Sequence, residues 1–247
     1  MKEDGDKQLF TYHIIKLPYF TALKYLLFSI NKVQIKGLIH AETMSAMKLG
    51  SSVFSFSRFF SRTLIVFAQW ENEESFLQFM ETNTLGTLFT QGWYLKLKFI
   101  RQWGAISGYR IPEVEKDFLN ENEPVAAITL ARMSYSQIPR FLRWGRPVEK
   151  LVRDHKGTTL SLASIRYPNL ISTFSIWKSK KEMLDMVHGH SKMPLPKRHI
   201  NAMKERDRKD FYFEFTSLRF IPVSEHGCLD LKSNYIPTKN TTYECSL

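Results

Sequence analysis

The stretch FSIWKSKKEMLDM, residues 174–186, has a near copy earlier in the chain, FAQWENEESFLQF at residues 67–79. In each copy a Phe is followed by a Trp three positions later, and apolar residues stand six and nine positions after that Trp. This pattern is typical of a buried strand that ends at the Trp, a charged turn, and a helix with one apolar side. The repeat predicts an internal duplication; packing demands shared by unrelated segments are the alternative explanation.

The elements around the two copies follow one order. In the first half, strand patterns at 10–17, 62–70 and 93–103, with an extended segment before residue 52, alternate with two helical patterns. The second half repeats this β-α-β-β-α-β order, which is the ferredoxin-like order, and has an additional helix before its last strand. We therefore predict an α+β protein whose tandem ferredoxin-like halves form a pseudo-dimer, with two four-stranded sheets packed face to face as in a dimeric α/β barrel.

Composition divides the chain into four segments. Residues 9–110 are the predicted N-terminal half and residues 125–223 the C-terminal half. The acidic stretch 111–124, which has a proline near each end, is typical of a linker. Residues 224–247 are polar, and we expect a poorly ordered tail there.

The charge balance favours an anionic partner. The chain has 247 residues, 35 Lys+Arg and 24 Asp+Glu, which gives a net charge of +11. Nucleic acid, an anionic membrane surface and acidic ligand groups all fit this balance, and an inert basic surface is the alternative. The RNP1 pattern of RNA-binding ferredoxin-like domains is absent, so we expect no nucleic-acid binding.

The longest apolar stretch, residues 19–30, is too short to span a bilayer. The two cysteines, Cys228 and Cys245, have neither zinc-site nor CxxC spacing, and a core without cysteine fits a reducing compartment. We therefore expect a cytoplasmic protein that contacts membranes at their surface. The sequence does not define an oligomeric state.

One histidine has neighbours that suit a haem ligand. On a helix, Ala202 and Met203 share the face of His199, at spacings of three and four. Leu195 is placed on the same face, while most of the nearby lysines and arginines point elsewhere. An imidazole among apolar side chains with cations at the rim is what axial haem ligation requires. The alternative is a core histidine satisfied by a backbone carbonyl.

Two other motifs contain candidate ligand-binding groups. MKLGSS, residues 47–52, places Lys48 and the hydroxyl of Ser51 at a Gly/Ser turn, where they could bind a carboxylate or another polar group; a plain connection between strands is the alternative. HGH at 188–190 offers two imidazoles but no evident third ligand, which favours a helix end over a metal site. No Ser-His-Asp, paired-carboxylate or HExxH arrangement is visible, and the sequence identifies no catalytic residue.

Several stretches resemble, in consistent order, motifs of the spheroidene monooxygenase family. These are MKLGSS (47–52), TFSIWKSKKEM (173–183) and RHINAMKERDRKDFYFEFTSLRF (198–220), while RFLRWGRP (140–147) aligns loosely. In the last block a His precedes an Ala-containing helix, an aromatic pair, a Glu and a closing Arg-Phe. The matching residues here are His199, Ala202, Phe211, Tyr212, Glu214, Arg219 and Phe220.

The resemblance implies a haem-dependent monooxygenase, an oxidoreductase of carotenoid biosynthesis that acts on a long apolar substrate held in an apolar tunnel. It implies iron ligation by His199, and the candidate cofactor-binding residues are then His199, Lys48, Ser51 and Met203. A different haem reaction on the same fold, such as dehydration, is one alternative. A non-catalytic barrel that binds an apolar small molecule is another.

Overall fold

A computed structural model describes residues 8–28, 30, 35–47, 49, 62–109, 111, 119–237 and 245. The strands within these residues are β1 (Leu9–Lys16), β2 (Leu38–Met47), β3 (Thr63–Trp70), β4 (Trp93–Ala105), β5 (Val125–Met133), β6 (Thr158–Arg166), β7 (Leu170–Trp177) and β8 (Tyr212–His226). The helices are α1 (Tyr19–Leu27), α2 (Glu73–Thr82), α3 (Thr84–Phe89), α4 (Ile138–Asp154), α5 (Lys180–Val187) and α6 (Arg198–Arg208).

The strands close into one antiparallel barrel, in the order β1-β3-β2-β6-β7-β5-β8-β4. Each half contributes four neighbouring strands in the ferredoxin-like order. The halves meet where β2 pairs with β6 and β4 pairs with β8, so each edge strand binds its own counterpart, as a pseudo-two-fold axis requires. The α+β class is confirmed, and the barrel is consistent with tandem ferredoxin-like halves. The two sheets join at their edges into one closed sheet, because their edge strands hydrogen-bond to each other.

The repeated phrase occupies equivalent places in the two halves. Trp70 pairs with the first residue of β1, and Trp177 pairs with the first residue of β5. Phe67 and Phe174, three residues earlier, point into the barrel, because an odd offset on a strand reverses the face. Two residues after each Trp, an Asn or a Ser side chain accepts a hydrogen bond from the first turn of the next helix. These shared positions explain why the two stretches are alike.

Aromatic and aliphatic side chains fill the barrel interior. The rings of Phe10 and Phe220 lie 5.1 Å apart between centroids, and those of Tyr12 and Phe174 lie 3.9 Å apart. All four residues are buried. Among the residues that the structure describes, the barrel axis is therefore occupied by side chains, and the predicted apolar tunnel does not run along it.

One end of the barrel is closed by the segment that follows β8. The expected poorly ordered tail at 224–247 is wrong for its first part, since residues 224–226 continue β8. Ile236 is 2% exposed, and the ring of Tyr235 packs edge-on against Trp93 at 5.9 Å. The backbone N–H of Ile236 donates to the carboxylate of Glu225 at 3.1 Å. A few apolar residues in a polar stretch are enough to plug a barrel end.

Cys228 and Cys245 form a disulfide, with their Cα atoms 5.8 Å apart. The bond ties the residue that begins the plug to a residue near the C-terminus. Disulfides persist mainly in oxidising environments, whereas a core without cysteine fits a reducing one, so the compartment stays a prediction. Among the described helices, none combines the length and the apolar content needed to cross a membrane.

Candidate functional site

The two halves differ in the side chains on the outer face of the sheet, under the helices. In the N-terminal half, His13 on β1 stands between Tyr94 on β4 and Val66 on β3. We call these three residues the N-terminal row. His13 and Val66 are each 1% exposed. Large side chains therefore fill the layer between sheet and helices in this half.

The equivalent positions in the C-terminal half carry small side chains. Thr129, four residues into β5 as His13 is into β1, stands between Ser217 on β8 and Thr173 on β7. We call these three residues the C-terminal row. All three are half-buried. The same register thus holds a Tyr, a His and a Val in one half and a Ser and two Thr in the other.

Helices in both halves bury apolar side chains against the sheet. In the N-terminal half, the ten-residue helix α2 buries Phe76, Phe79 and Met80. Its counterpart in the C-terminal half, α5, buries Met183 and Met186, whereas the seventeen-residue helix α4 buries Leu151 and α6 buries Ala202. Most other side chains on α4 and α6 are half-buried or exposed. The C-terminal row and most side chains of α4 and α6 are thus half-buried or exposed, and this layer is the candidate site.

His199 lies in this helix layer, in the first turn of α6, and is half-buried. Burial lowers the pKa of the His199 imidazole, a hydrogen bond to the backbone of Val187 partly opposes this shift, and the charge of nearby His188 adds to it. The ring is therefore neutral at pH 7, the state in which imidazole binds a metal. The bond to Val187 satisfies one ring nitrogen. A hydrogen bond to a backbone carbonyl orients histidines that bind a metal. The same bond also satisfies a histidine that has only a structural role.

The other predicted residues have different outcomes. Met203 lies one turn after His199, on the same face of α6, and is half-buried. Leu195 precedes α6 and is 62% exposed, so its predicted place on that helix face is wrong. Lys48 and Ser51 lie outside the described residues, and their roles stay predictions.

The described histidines near α6 do not form a metal site of several side chains. The rings of His188 and His190 are 6.1 Å apart between centroids. The described part of the chain contains no group of three His, Cys, Asp or Glu side chains placed to hold an ion. A neutral imidazole with a backbone partner, such as His199, is a donor of the kind that haem iron accepts.

A groove of about 550 Å³ opens near the C-terminal end of α6. Its lining includes Arg206, Tyr212, Phe215 and Ile106. The guanidinium of Arg206 lies 3.7 Å from the centroid of the Phe215 ring. Because Arg206 is seven residues after His199, it lies two turns further along the same face of α6. Its guanidinium also pairs with the carboxylate of Asp210 at 3.4 Å.

Charged side chains close the barrel end opposite the plug. Glu42 is 1% exposed and accepts hydrogen bonds from Arg166 at 2.6 Å and His40 at 3.3 Å. Arg132 lies 3.6 Å from the same carboxylate and also pairs with Glu214. Burial raises the pKa of Glu42, but the bonds from His40 and Arg166 outweigh it, and the net shift is downward. We call these five residues the mouth cluster. Sequence reasoning missed it, since its members come from different strands and only their inward positions connect them.

Comparison with solved structures finds proteins that are similar to this chain. An aldoxime dehydratase in complex with butyraldoxime is 8% identical, with a TM-score of 0.54 over 90% of this chain and 84% of that chain. A monooxygenase-like protein from Listeria innocua is 12% identical, with a TM-score of 0.28 over 90% and 98%. A ferredoxin-fold protein from Listeria monocytogenes related to antibiotic biosynthesis monooxygenases is 13% identical, with a TM-score of 0.29 over 90% and 100%.

The likeness to the aldoxime dehydratase establishes a shared fold. No protein-family model matches the chain, and no curated protein matches it in sequence. The resemblance to spheroidene monooxygenases therefore stays a prediction.

Proposed function

We propose that the chain is a haem-dependent, monooxygenase-like enzyme that acts on an apolar substrate, with haem bound between α6 and the C-terminal row. The observation that carries this proposal is the contrast between the two rows. Small side chains at the C-terminal row would leave a ligand more space than the large side chains at the equivalent N-terminal positions. His199 offers a neutral imidazole in the same layer.

Each residue of the site has a defined task in this proposal. His199 would bind the iron through the ring nitrogen that does not face Val187, and the bond to Val187 holds the ring in place. Met203 would contribute an apolar contact to the haem, and Lys48, Ser51 and Arg206 would bind its carboxylates. Bound haem would supply an iron able to activate dioxygen or a peroxide.

The substrate is proposed to bind in the helix layer, since the barrel axis is filled. Val187, Leu184 and Met193 are half-buried apolar residues packed against the core of this layer. They would exclude water from the iron and receive an apolar chain. A carotenoid is the substrate that the sequence resemblance favours.

A haem dehydratase is the second candidate. It is favoured by the fold shared with the aldoxime dehydratase, whose structure contains butyraldoxime. The two candidates differ in what they consume, because an oxygenase needs electrons and dioxygen, while a dehydratase releases water from its substrate. Turnover of an aldoxime by the haem-loaded protein, without a reductant, would favour the dehydratase.

Haemin titration tests the proposed cofactor. The purified protein should bind haemin at one equivalent, with a Soret band typical of a histidine-bound iron. Thr129→Phe places a large ring in the C-terminal row and should weaken haemin binding at least about tenfold. Thr87→Phe, at an exposed position on α3, is the matched control and should bind haemin as the wild type does.

Two results would contradict the proposal: a wild type that binds no haemin, or a Thr129→Phe variant that binds it unchanged. Binding of an apolar dye without a Soret band would instead favour the non-catalytic apolar-ligand barrel.

A further inference from the structure

Helix α1 presents large apolar side chains to solvent. Phe20 is 82% exposed, Leu27 is 67% exposed and Leu23 is 37% exposed. These three residues share one helix face, at spacings of three and seven. Phe28, directly after the helix, is 71% exposed. Exposed apolar side chains that are contiguous, rather than scattered, mark an interaction surface.

The segment of sequence that contains this surface carries charge of one sign. From Lys7 to Ala41 the sequence contains five lysines and no Asp or Glu. Lys16 and Lys24 are exposed, and Lys24 lies one helical turn after Phe20. An apolar helix face with lysines at its edge and no carboxylate is complementary to a surface that has negative charges on its outside and an apolar interior directly beneath them.

We propose that α1 lies in the surface of an anionic phospholipid bilayer, with Phe20, Leu23 and Leu27 reaching the acyl chains. Lys16 and Lys24 would then meet lipid phosphates. A second copy of the chain is a poorer occupant, since a two-fold contact on α1 would bring the same lysines together with no acidic residue to pair them. The inference is independent of the proposed cofactor, because α1 belongs to the N-terminal half and has no part in the haem layer.

Vesicle flotation at low salt tests the inference. The wild type should float with vesicles that contain about 30% phosphatidylglycerol, and at least about tenfold more weakly with pure phosphatidylcholine. The double variant Phe20→Ser/Leu27→Ser should lower the partition coefficient for anionic vesicles by at least about tenfold. Leu77→Ser, at an exposed leucine on the acidic helix α2, is the matched control and should float as the wild type does.

Either of two flotation results would overturn the inference: a wild type that floats with neither vesicle, or a double variant that floats as well as Leu77→Ser. Sedimentation without lipid adds a third, because a wild-type dimer that the double variant dissociates would assign the face to a second copy. None of these readouts depends on haem, so their failure is distinguishable from failure of the proposed function.

Discussion

His13 and Thr129 occupy equivalent positions, four residues into β1 and β5, and aromatic rings enclose His13. The Phe89 and Tyr94 rings lie 4.6 and 5.3 Å from the imidazole centroid. Among the described residues, neither ring nitrogen of His13 has a hydrogen-bond partner. Burial lowers the pKa of His13 to about 3. The N-terminal half thus excludes both water and ligands from the position that the C-terminal half leaves half-buried.

Acid should destabilise the protein through His13. The unfolded chain takes up the proton near pH 6.5 and the folded chain only near pH 3. The contribution of neutral, buried His13 to the free energy of unfolding is therefore complete above pH 6.5 and is lost as pH falls. Between pH 7 and pH 5 this site should lower the free energy of unfolding by about 2 kcal/mol.

Urea unfolding at both pH values tests this. His13→Leu should lose that component of the pH dependence, whereas His190→Leu, at an exposed histidine, should keep it. An equal pH dependence in the wild type and His13→Leu would show that His13 does not titrate in this way.

The mouth cluster should depend on Glu42. Glu42→Gln leaves Arg132 and Arg166 without a shared counter-charge in a partly buried setting, and we expect a loss of about 2–4 kcal/mol in the free energy of unfolding. Asp154→Asn breaks the exposed ion pair with Arg153 and should change stability by less than about 1 kcal/mol. Chemical denaturation of both variants checks the difference. Equal losses would mean that the buried position of Glu42 is unimportant.

The disulfide should stabilise the plug. Cys228 and Cys245 are 17 residues apart, and closing a loop of this length is worth about 3 kcal/mol. We expect Cys228→Ser/Cys245→Ser to unfold at lower urea, and dithiothreitol to shift the wild type to the same midpoint without affecting the variant. Two free thiols in the untreated wild type, or a midpoint insensitive to reduction, would contradict the bond.

The fold was largely predictable because its signals are local. Alternation of apolar residues and the paired positions of Trp70 and Trp177 predict the strand order in each half. The closure of the barrel end by the segment after β8 was not predictable, because Tyr235 and Ile236 are isolated apolar residues in a polar stretch. The pairing of Cys228 with Cys245 likewise depends on how this stretch folds back.

The candidate site was predictable only in part. The spacing around His199 predicted the helix α6, since that signal lies within one turn, and the role of His199 as a ligand stays a prediction. The contrast between the two rows required the strand register, because Thr129, Thr173 and Ser217 are unremarkable in sequence and become neighbours only across the sheet. The mouth cluster has the same origin, because Glu42 and Arg166 come from different halves.

The absorption spectrum of a matched histidine series tests the central claim most directly. After haem loading, the wild type, His188→Ala and His190→Ala should show the same Soret band. His199→Ala should keep its fold, because Ala is a good helix former, but should lose most of its haem and regain part of it with added imidazole. A His199→Ala protein with a normal haem spectrum, or one that loses about 1–3 kcal/mol of stability while the wild type never binds haem, would contradict the account and assign His199 a structural role.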